Sequence, residues 1–523
     1  MKLPPQQRVA IIDLGSNTAR LVVMNTHAGY SYRLTDQVRE VVRLRQGMTA
    51  AGLSEAAFKR GFSTLRLFKN FCDSVKVDTV IATATSAIRD AANGRVFLEK
   101  VREEIGLELR VLSGEREAYY DTLGALNEVT INEGTVLDIG GGSFQLSNVQ
   151  KRNYHEGVSF PLGALALTER FVENDLVSDE EVEQIKAEVE RALDQVDWLE
   201  QKQGHPLVGL GGTIRNLAKI QTARENYPLY TLHGFKLTRK SLTESIQLFR
   251  ELPLNERKNI SGLAPDRADI ILAGAVTLLT VMEKLNAKEI IISENGVREG
   301  LFMEYFWEHL DPPIIPSVRR FSVLNLARHY QYEKRHANHV RFLSDRLFWQ
   351  LVPLHGLGPD ALDLLDAASL LHDIGRIISY SSHHHHSKTL IENAGLPGFT
   401  PREIALVGLL SRYHRKGSPS IEGYETLLDK KDEKLLEHLS AILRMAETLE
   451  RGRNGNVSDV IVTHDDDDLR ITLITNTYPA VELWQAEWSA IPLMAEVYER
   501  NVTLDSFAPP VEDHYHFTEE DGE

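Results

Sequence analysis

The chain has 523 residues, 42% of them hydrophobic and 25% charged, the balance of an ordinary globular protein, and its length asks for three or four domains rather than one core. A formal net charge of −17 removes the broad positive field that a general nucleic-acid or membrane-surface binder needs; no nucleic acid and no membrane are expected as partners, and a polyanionic substrate would have to be held by local arginine and lysine clusters. Cys72 is the only cysteine, which excludes an intrachain disulfide and suits a reducing compartment. Met1–Arg8 lacks the apolar core of a signal peptide, and no apolar run of about 18 residues follows, so a cytoplasmic location is expected.

In chain order, Val9-Ala10-Ile11-Ile12 predicts a buried strand that closes on Asp13 and turns through Leu14-Gly15-Ser16-Asn17-Thr18. A strand at Leu21–Met24 follows, then a helical stretch through Phe58, Leu65, Leu67 and Phe71. A buried strand at Thr79–Ala82, an amphipathic helix around Phe97 to Ile105 and a strand at Leu107–Leu112 complete the pattern. Such alternation predicts an α/β layer. From about Asn132 to Leu301 it begins again: Thr135-Val136-Leu137 leads into Asp138-Ile139-Gly140-Gly141-Gly142-Ser143. Strands at Leu207–Leu210 and Glu289–Ile292 then end in Gly211-Gly212-Thr213 and Ser293-Glu294-Asn295-Gly296. All these turns fall at the carboxyl ends of strands, where the sites of open α/β sheets collect.

The proline-rich stretch Leu310–Pro316 predicts a linker. Beyond it the pattern is helical with clustered histidines to about Arg453, after which Val460–Thr463 and Leu469–Leu473 predict a hairpin turned by Asp465–Asp468. That acidic turn lacks the spaced glycine and distal glutamate of a calcium loop and reads as solvated. The expected domains are 1–128 and 129–309 as two related lobes, 317–453 as a helical domain, and 454–523 as a small α+β domain with an acidic tail.

The two glycine loops carry the chemistry. Glycine lets a backbone approach a phosphate closely, small hydroxyls add donors, and the carboxylate that closes each strand suits a divalent cation. A matched pair implies two lobes facing one phosphate-bearing ligand across a cleft. Between them, Ser113-Gly114-Glu115-Arg116-Glu117-Ala118 opens a helix directly after a strand; from spacing alone its acidic residues are explained by helix capping. Thr85-Ser86-Ala87-Ile88-Arg89, Arg267 and Arg298 offer guanidinium forks suited to phosphate, though any single one reads equally as a surface residue.

Together these segments resemble the exopolyphosphatase / guanosine pentaphosphate phosphatase family: Asp13–Thr18, Thr85–Arg89, Ser113–Ala118, Asp138–Ser143, Gly211–Thr213, Pro265–Asp269 and Gly296–Gly300 stand in the family's order. The resemblance runs closely over residues 8 to 305 and continues into the C-terminal half. It implies an α/β class of fold, two ribonuclease-H-like lobes of the actin-like ATPase (ASKHA) type, followed by a mainly helical HD-like domain and a small α+β C-terminal domain. It also implies Glu117 as the residue that activates water, with Arg89 and Arg20 as electrostatic clamps. The implied phosphate binders are Gly15, Ser16, Asn17, Thr18, Gly140, Gly141, Gly142, Ser143, Gly212, Thr213 and Arg267, and Mg²⁺ (or Mn²⁺) is implied at Asp138 with help from Asp13. At Gln145 the family carries a glutamate; an amide carbonyl still offers an oxygen to a cation but is no base. The implied activity is hydrolysis of terminal phosphoanhydride bonds of inorganic polyphosphate. The alternatives are removal of the 5′ phosphate from guanosine pentaphosphate (pppGpp) and a non-catalytic polyphosphate or alarmone sensor. A homodimer is expected.

In the histidine-rich half, Leu370-Leu371-His372-Asp373-Ile374-Gly375 resembles an HD phosphohydrolase motif, with His336 as its first ligand and Glu447 in the place of the usual final aspartate. A second divalent metal at His336, His372, Asp373 and Glu447 is one reading; a helical scaffold that retains inherited histidines is the other. The run His383–His386 reads as native sequence, not a tag. Arg412, His414, Arg415 and Lys416 form the basic stretch that the resemblance implies for guiding polyphosphate.

Overall fold

The computed structural model describes residues 4–508, so the acidic tail expected beyond 508 lies outside the described residues. The chain divides into two compact units, one running to Asn325 and taking in Leu396–Pro401, the other made of Leu326–Gly395 and the chain from Arg402 onward. Among the described residues no helix is long and apolar enough to cross a membrane.

The first unit holds two sheets with the same plan. In the first, β1 (Gln6–Leu14), β2 (Thr18–His27) and β3 (Ser31–Val41) form an antiparallel meander, and β4 (Thr79–Ala84) and β5 (Leu109–Val111) join parallel, in the order β3-β2-β1-β4-β5. In the second, β6 (Gly134–Ile139), β7 (Phe144–Gln150) and β8 (Asn153–Phe160) repeat the meander. Parallel β9 (Leu207–Leu210) follows, then β10 (Lys236–Thr238) and β11 (Glu289–Ile292), in the order β10-β11-β9-β6-β7-β8. The expected strands are present. Polar β3 and the short β10 escape a reading based on hydrophobic pattern, because an edge strand buries little and so needs no apolar alternation.

Strand alternation sends side chains to both faces of β1. Ala10, Ile12 and Leu14 pack with Leu65 and Phe68 of the helix Glu55–Ser74 and with Phe97 and Val101 of Gly94–Ile105. Val9 and Ile11 instead meet Tyr120 and Leu123 of Gly114–Leu126 and Phe302 and Phe306 of Val297–Phe306. The far end of Gly114–Leu126 belongs to another core, where Ala125 and Leu126 pack with Val136, Val208 and Leu210 of the second sheet. This helix is therefore shared by both lobes, which is why its residues are buried almost all round.

It crosses Val297–Phe306 at glycine contacts: a Cβ on Gly300 would fall 2.0 Å from the Tyr120 carbonyl oxygen, and one on Gly124 2.7 Å from the Gly296 carbonyl oxygen. The proline-rich stretch expected as a linker is tied into this unit. The Asn127 side chain donates to Pro313 O at 3.1 Å and accepts from Ile315 N at 3.0 Å, and Ile315 joins the core.

The second unit is mainly helical, with Lys334–His355, Pro359–Leu371, His383–Ala394, most of Pro401–Tyr413, and Lys430–Leu449. Its sheet orders β12 (Val457–His464), β13 (Asp468–Thr475) and β14 (Asn501–Ser506), with Ala480–Tyr498 crossing over between the last two. The acidic hairpin turn is closed by its own side chain, since Asp465 Oδ1 accepts from the amides of Asp467 at 3.0 Å and Asp468 at 2.9 Å.

Gly300→Ala forces the two crossing helices apart. The expected loss of unfolding free energy is about 1–3 kcal/mol, the usual cost of overpacking, read from the denaturant midpoint.

Candidate active site

The twin glycine loops are the hairpin turns of the two meanders, closed in the same way: Gly15 N donates to Thr18 O at 3.1 Å and Gly140 N to Ser143 O at 2.9 Å. Among the described residues the inner amides of Ser16, Asn17, Gly141 and Gly142 make no backbone hydrogen bond and remain available to an anion. The turns lie against each other. A Cβ on Gly142 would stand 2.7 Å from Ser16 Oγ and 2.7 Å from Ser86 Oγ, and one on Gly141 3.0 Å from Asn17 Cβ. The two strands that feed them bring Asp13 and Asp138 to a cavity of about 130 Å³.

Register explains what faces these aspartates. Asp13 pairs across the hairpin with Arg20, and Asp138 stands in the equivalent place opposite Gln145. The shared helix adds Glu117 and, one turn on, Asp121. Asp13 Oδ1, Asp138 Oδ1 and both oxygens of Asp121 are buried without a hydrogen-bond donor, a costly state that a divalent cation would relieve. Gly211, at φ +87°, lets the backbone run beneath Asp138, for a Cβ there would be 1.8 Å from Asp138 Oδ1. Arginines line the same cavity: Arg20, Arg215, Arg267 and Arg298. A Cβ on Gly212 would fall 2.1 Å from Arg267 Nη2, so that glycine makes room for the guanidinium.

Burial sets the electrostatics. It pushes Glu117 up to about 7 and Asp138 up to about 6, and it raises Asp13 and Asp121 as well. The same desolvation pulls Arg20 down to about 9 and Arg267 down to about 10, helped by their mutual repulsion with neighbouring guanidinium groups. Each sign of charge is strained while it faces only protein; a cation beside the acids and an anion beside the arginines satisfy both.

Arg89 does not line the cavity. Its guanidinium bonds Glu117 Oε1 and donates to Leu112 O at 2.8 Å, so it orients the glutamate and offsets part of the burial effect. Gln145 Nε2 lies 3.1 Å from Glu117 Oε2, 2.9 Å from Ser143 Oγ and 3.2 Å from Ser159 Oγ, three acceptors that share its two hydrogens, and its Oε1 is unpartnered. Thr213, expected at the phosphate, turns inward against Gly274.

The family model for the Ppx/GppA phosphatase family matches residues 22–309, and that for Ppx/GppA phosphatase domain III matches residues 318–488. The chain belongs to the Ppx/GppA phosphatase family. A solved Ppx/GppA family member from Aquifex aeolicus is 32% identical with a TM-score of 0.51, the match covering 58% of this chain and 99% of that one. An exopolyphosphatase from Cytophaga hutchinsonii shares the fold at 23% identity and TM-score 0.54, covering 57% of this chain and 98% of that one.

The structure adds Asp121, Arg215 and Glu128 to the residues that sequence reasoning singled out. Asp121 follows Glu117 by one helical turn and Arg215 follows the Gly211-Gly212 turn, so both carried a positional signal. Glu128 carried none. Its buried carboxylate accepts from Glu294 N at 2.9 Å, Asn295 N at 3.1 Å and the Ser293 hydroxyl, with His233 Nδ1 at 3.4 Å, and so fixes the turn that leads to Arg298. Asp266 and Asp269, which flank Arg267, pair with Arg39 and Arg43 of the first lobe, the latter at 3.0 Å.

In the helical unit of this family member, His336, His372, Asp373 and Glu447 do come together, with Glu447 Oε2 2.9 Å from His336 Nε2 and 3.1 Å from His372 Nε2. The basic stretch separates. Arg415 and Lys416 line a groove, Arg412 packs over Tyr413, and His414 is 1% exposed and turned into the imidazole cluster, its Nδ1 2.7 Å from Ser411 O.

Glu117→Gln keeps the shape but cannot accept a proton, so phosphatase turnover is expected to fall by about 10²–10⁴-fold while binding of the phosphate substrate persists; single-turnover kinetics beside a binding isotherm separate the two. Arg89→Met removes the charge that holds Glu117 down. The folded-state value then rises, less of the carboxylate is ionised at neutral pH, and the acidic limb of the kcat/KM profile moves to higher pH.

Proposed function

We propose that this protein is an exopolyphosphatase that hydrolyses the terminal phosphoanhydride bond of inorganic polyphosphate and releases orthophosphate. The observation that carries the reading is the cavity itself. Buried, donor-free carboxylates stand beside four arginines and two turns with unused amides, and none of the described residues that line it is aromatic. Such a lining provides for a phosphate chain and provides no stacking face for a base.

Mg²⁺ or Mn²⁺ held by Asp13, Asp121 and Asp138, with the Gln145 carbonyl as a further oxygen, would supply charge neutralisation at the transferring phosphoryl group. The turn amides of Ser16, Asn17, Gly141 and Gly142, with Arg20, Arg215, Arg267 and Arg298, grip that group and hold it in line. Glu117, oriented by Arg89 and Gln145 and raised by burial toward neutrality, is matched in strength to take a proton from water. The new bond joins the water oxygen to the terminal phosphorus, the bridging P–O bond breaks, and the chain leaves one phosphate shorter.

Phosphate release from long polyphosphate, short polyphosphate and guanosine pentaphosphate, compared side by side with Mg²⁺, tests the assignment. The largest kcat/KM is expected on long polyphosphate. A larger value on guanosine pentaphosphate replaces the reading with a pppGpp 5′-phosphohydrolase, and tight polyphosphate binding without release replaces it with a sensor.

A further inference from the structure

His233 and Glu128 form a buried pair in the first unit, and neither lines the cavity. The two ring nitrogens of His233 face different acceptors: Nε2 lies 3.0 Å from the Phe399 carbonyl oxygen and Nδ1 3.4 Å from Glu128 Oε1. A carbonyl oxygen can only accept, so Nε2 carries a proton. In a neutral ring Nδ1 would then turn a bare lone pair toward a buried carboxylate, a costly opposition of two acceptors. A second proton on the ring removes it. Glu128 keeps its charge at the same time, because Oε2 accepts from Glu294 N at 2.9 Å, Asn295 N at 3.1 Å and the Ser293 hydroxyl. The titration directions agree. Desolvation alone would lower His233 and raise Glu128, yet the bond and charge of each partner outweigh it, so His233 stands above the ordinary histidine value and Glu128 below that of a carboxylate.

This pair lies behind the cationic wall of the cavity. The turn that Glu128 Oε2 binds runs straight into the helix Val297–Phe306, whose second residue is Arg298. In the same turn, Glu294 O accepts from Arg215 Nη1 at 2.8 Å. Two of the four arginines at the cavity therefore depend on one carboxylate. The loop that carries His233 is tied to the turn as well: the Glu294 side chain accepts from the Thr231 hydroxyl and from Leu232 N at 3.2 Å, and Thr231 Oγ1 accepts from His233 N at 3.1 Å. On the other side, Phe399 belongs to Leu396–Pro401, which is part of this unit, and Gly398 N donates to Glu128 O at 2.7 Å. The further charged or titratable groups around the pair are Glu294, which acts on His233, Tyr32, on which Glu128 acts, and Arg319, stacked on the Phe399 ring at 3.8 Å.

We propose that His233 is a positioning residue that works as an imidazolium: paired with Glu128, it holds the Ser293–Gly296 turn so that Arg215 and Arg298 face the phosphoryl group in the cleft. This role rests on the hydrolytic reading of the cleft given above. The second proton stays on the ring through turnover, so His233 governs how firmly the substrate is gripped and takes no part in the chemical step. Its contribution is complete below the ordinary histidine value of about 6.5 and is lost as pH rises through the raised value. That places it on the alkaline side of the pH profile, opposite to Glu117. Arginines that grip ground state and transition state alike act on KM.

Full-length protein with ¹⁵N-labelled histidine reports the charge directly, the His233 ring being the signal that His233→Gln lacks and Glu128→Gln shifts. Two protonated ring nitrogens are expected at about pH 8, well above the ordinary histidine value of about 6.5, and a neutral ring in Glu128→Gln. One bare nitrogen at that pH in the unsubstituted protein overturns the imidazolium. This readout needs no catalysis, so it stands or falls apart from the function proposed above. For the grip, phosphate release is followed on whichever of the three phosphate compounds the cleft turns over; if it binds without turnover, the same changes are read in the binding isotherm. His233→Gln is expected to raise KM about tenfold with kcat within about threefold, and to abolish the part of the alkaline KM rise that follows the His233 titration. His233→Lys keeps a cation whose ordinary value of about 10.4 lies outside that range, and is expected to recover most of the lost affinity. Should His233→Gln fail to fold, Glu128→Gln carries both readouts. An unchanged KM, a loss confined to kcat, or a KM rise that still follows the same pH range in the variant overturns the positioning role.

Discussion

The first unit depends on one close crossing. Gly114–Leu126 and Val297–Phe306 meet at Gly124 and Gly300 with no room for a Cβ, and the first of these helices is packed by the cores of both sheets. Because each helix also ends in the cavity, one with Glu117 and Asp121 and the other with Arg298 and Glu299, the same steric constraint sets the spacing between the Glu117 carboxylate, the general base of the proposed reaction, and the cationic wall. A helix held on all sides has little freedom to drift. A general base needs that rigidity, since its placement has to be good to a fraction of an ångström.

The cavity is electrostatically strained on purpose of its shape: acids raised and arginines lowered by the same desolvation. In water these groups would pair and lose their reach. Here Arg89 is spent on Glu117, and the carbonyls of Gly211 and Glu294 hold Nε and Nη1 of Arg215 at the cavity wall, while Asp13 Oδ1, Asp138 Oδ1 and both oxygens of Asp121 are left without donors. The protein thus stores a demand for a cation and an anion together, a combination that a metal-bound phosphate chain meets and a neutral ligand does not. Gln145 fits this arrangement by donating to Glu117 where a second carboxylate would repel it.

The helical unit applies the same logic with imidazoles. Backbone carbonyls of Ser369, Tyr380 and Ser411 choose the tautomer, and the fold then aims the remaining lone pairs at each other around Asp373. His383 opens the helix that the four-histidine run forms, so a stretch that looks compositional in the sequence owes one of its members to a specific contact.

Local chemistry made much of this legible. The apolar strands, the duplicated aspartate-and-glycine turns and the Asp465–Asp468 hairpin are short-range features, fixed by alternation and by which residues tolerate a tight turn, and they stand where expected. The family resemblance likewise brought Glu117 forward, although spacing alone read it as a helix cap. What needed the fold was every relation between distant segments: Asp121 and Arg215 at the cavity, Glu128 beneath the turn before Arg298, Arg89 as a partner of Glu117, Thr213 and His414 turned inward. A sequence records the kind of donor or acceptor a residue offers, whereas burial, tautomer and partner arise only when non-local packing removes water and decides which groups are left facing one another.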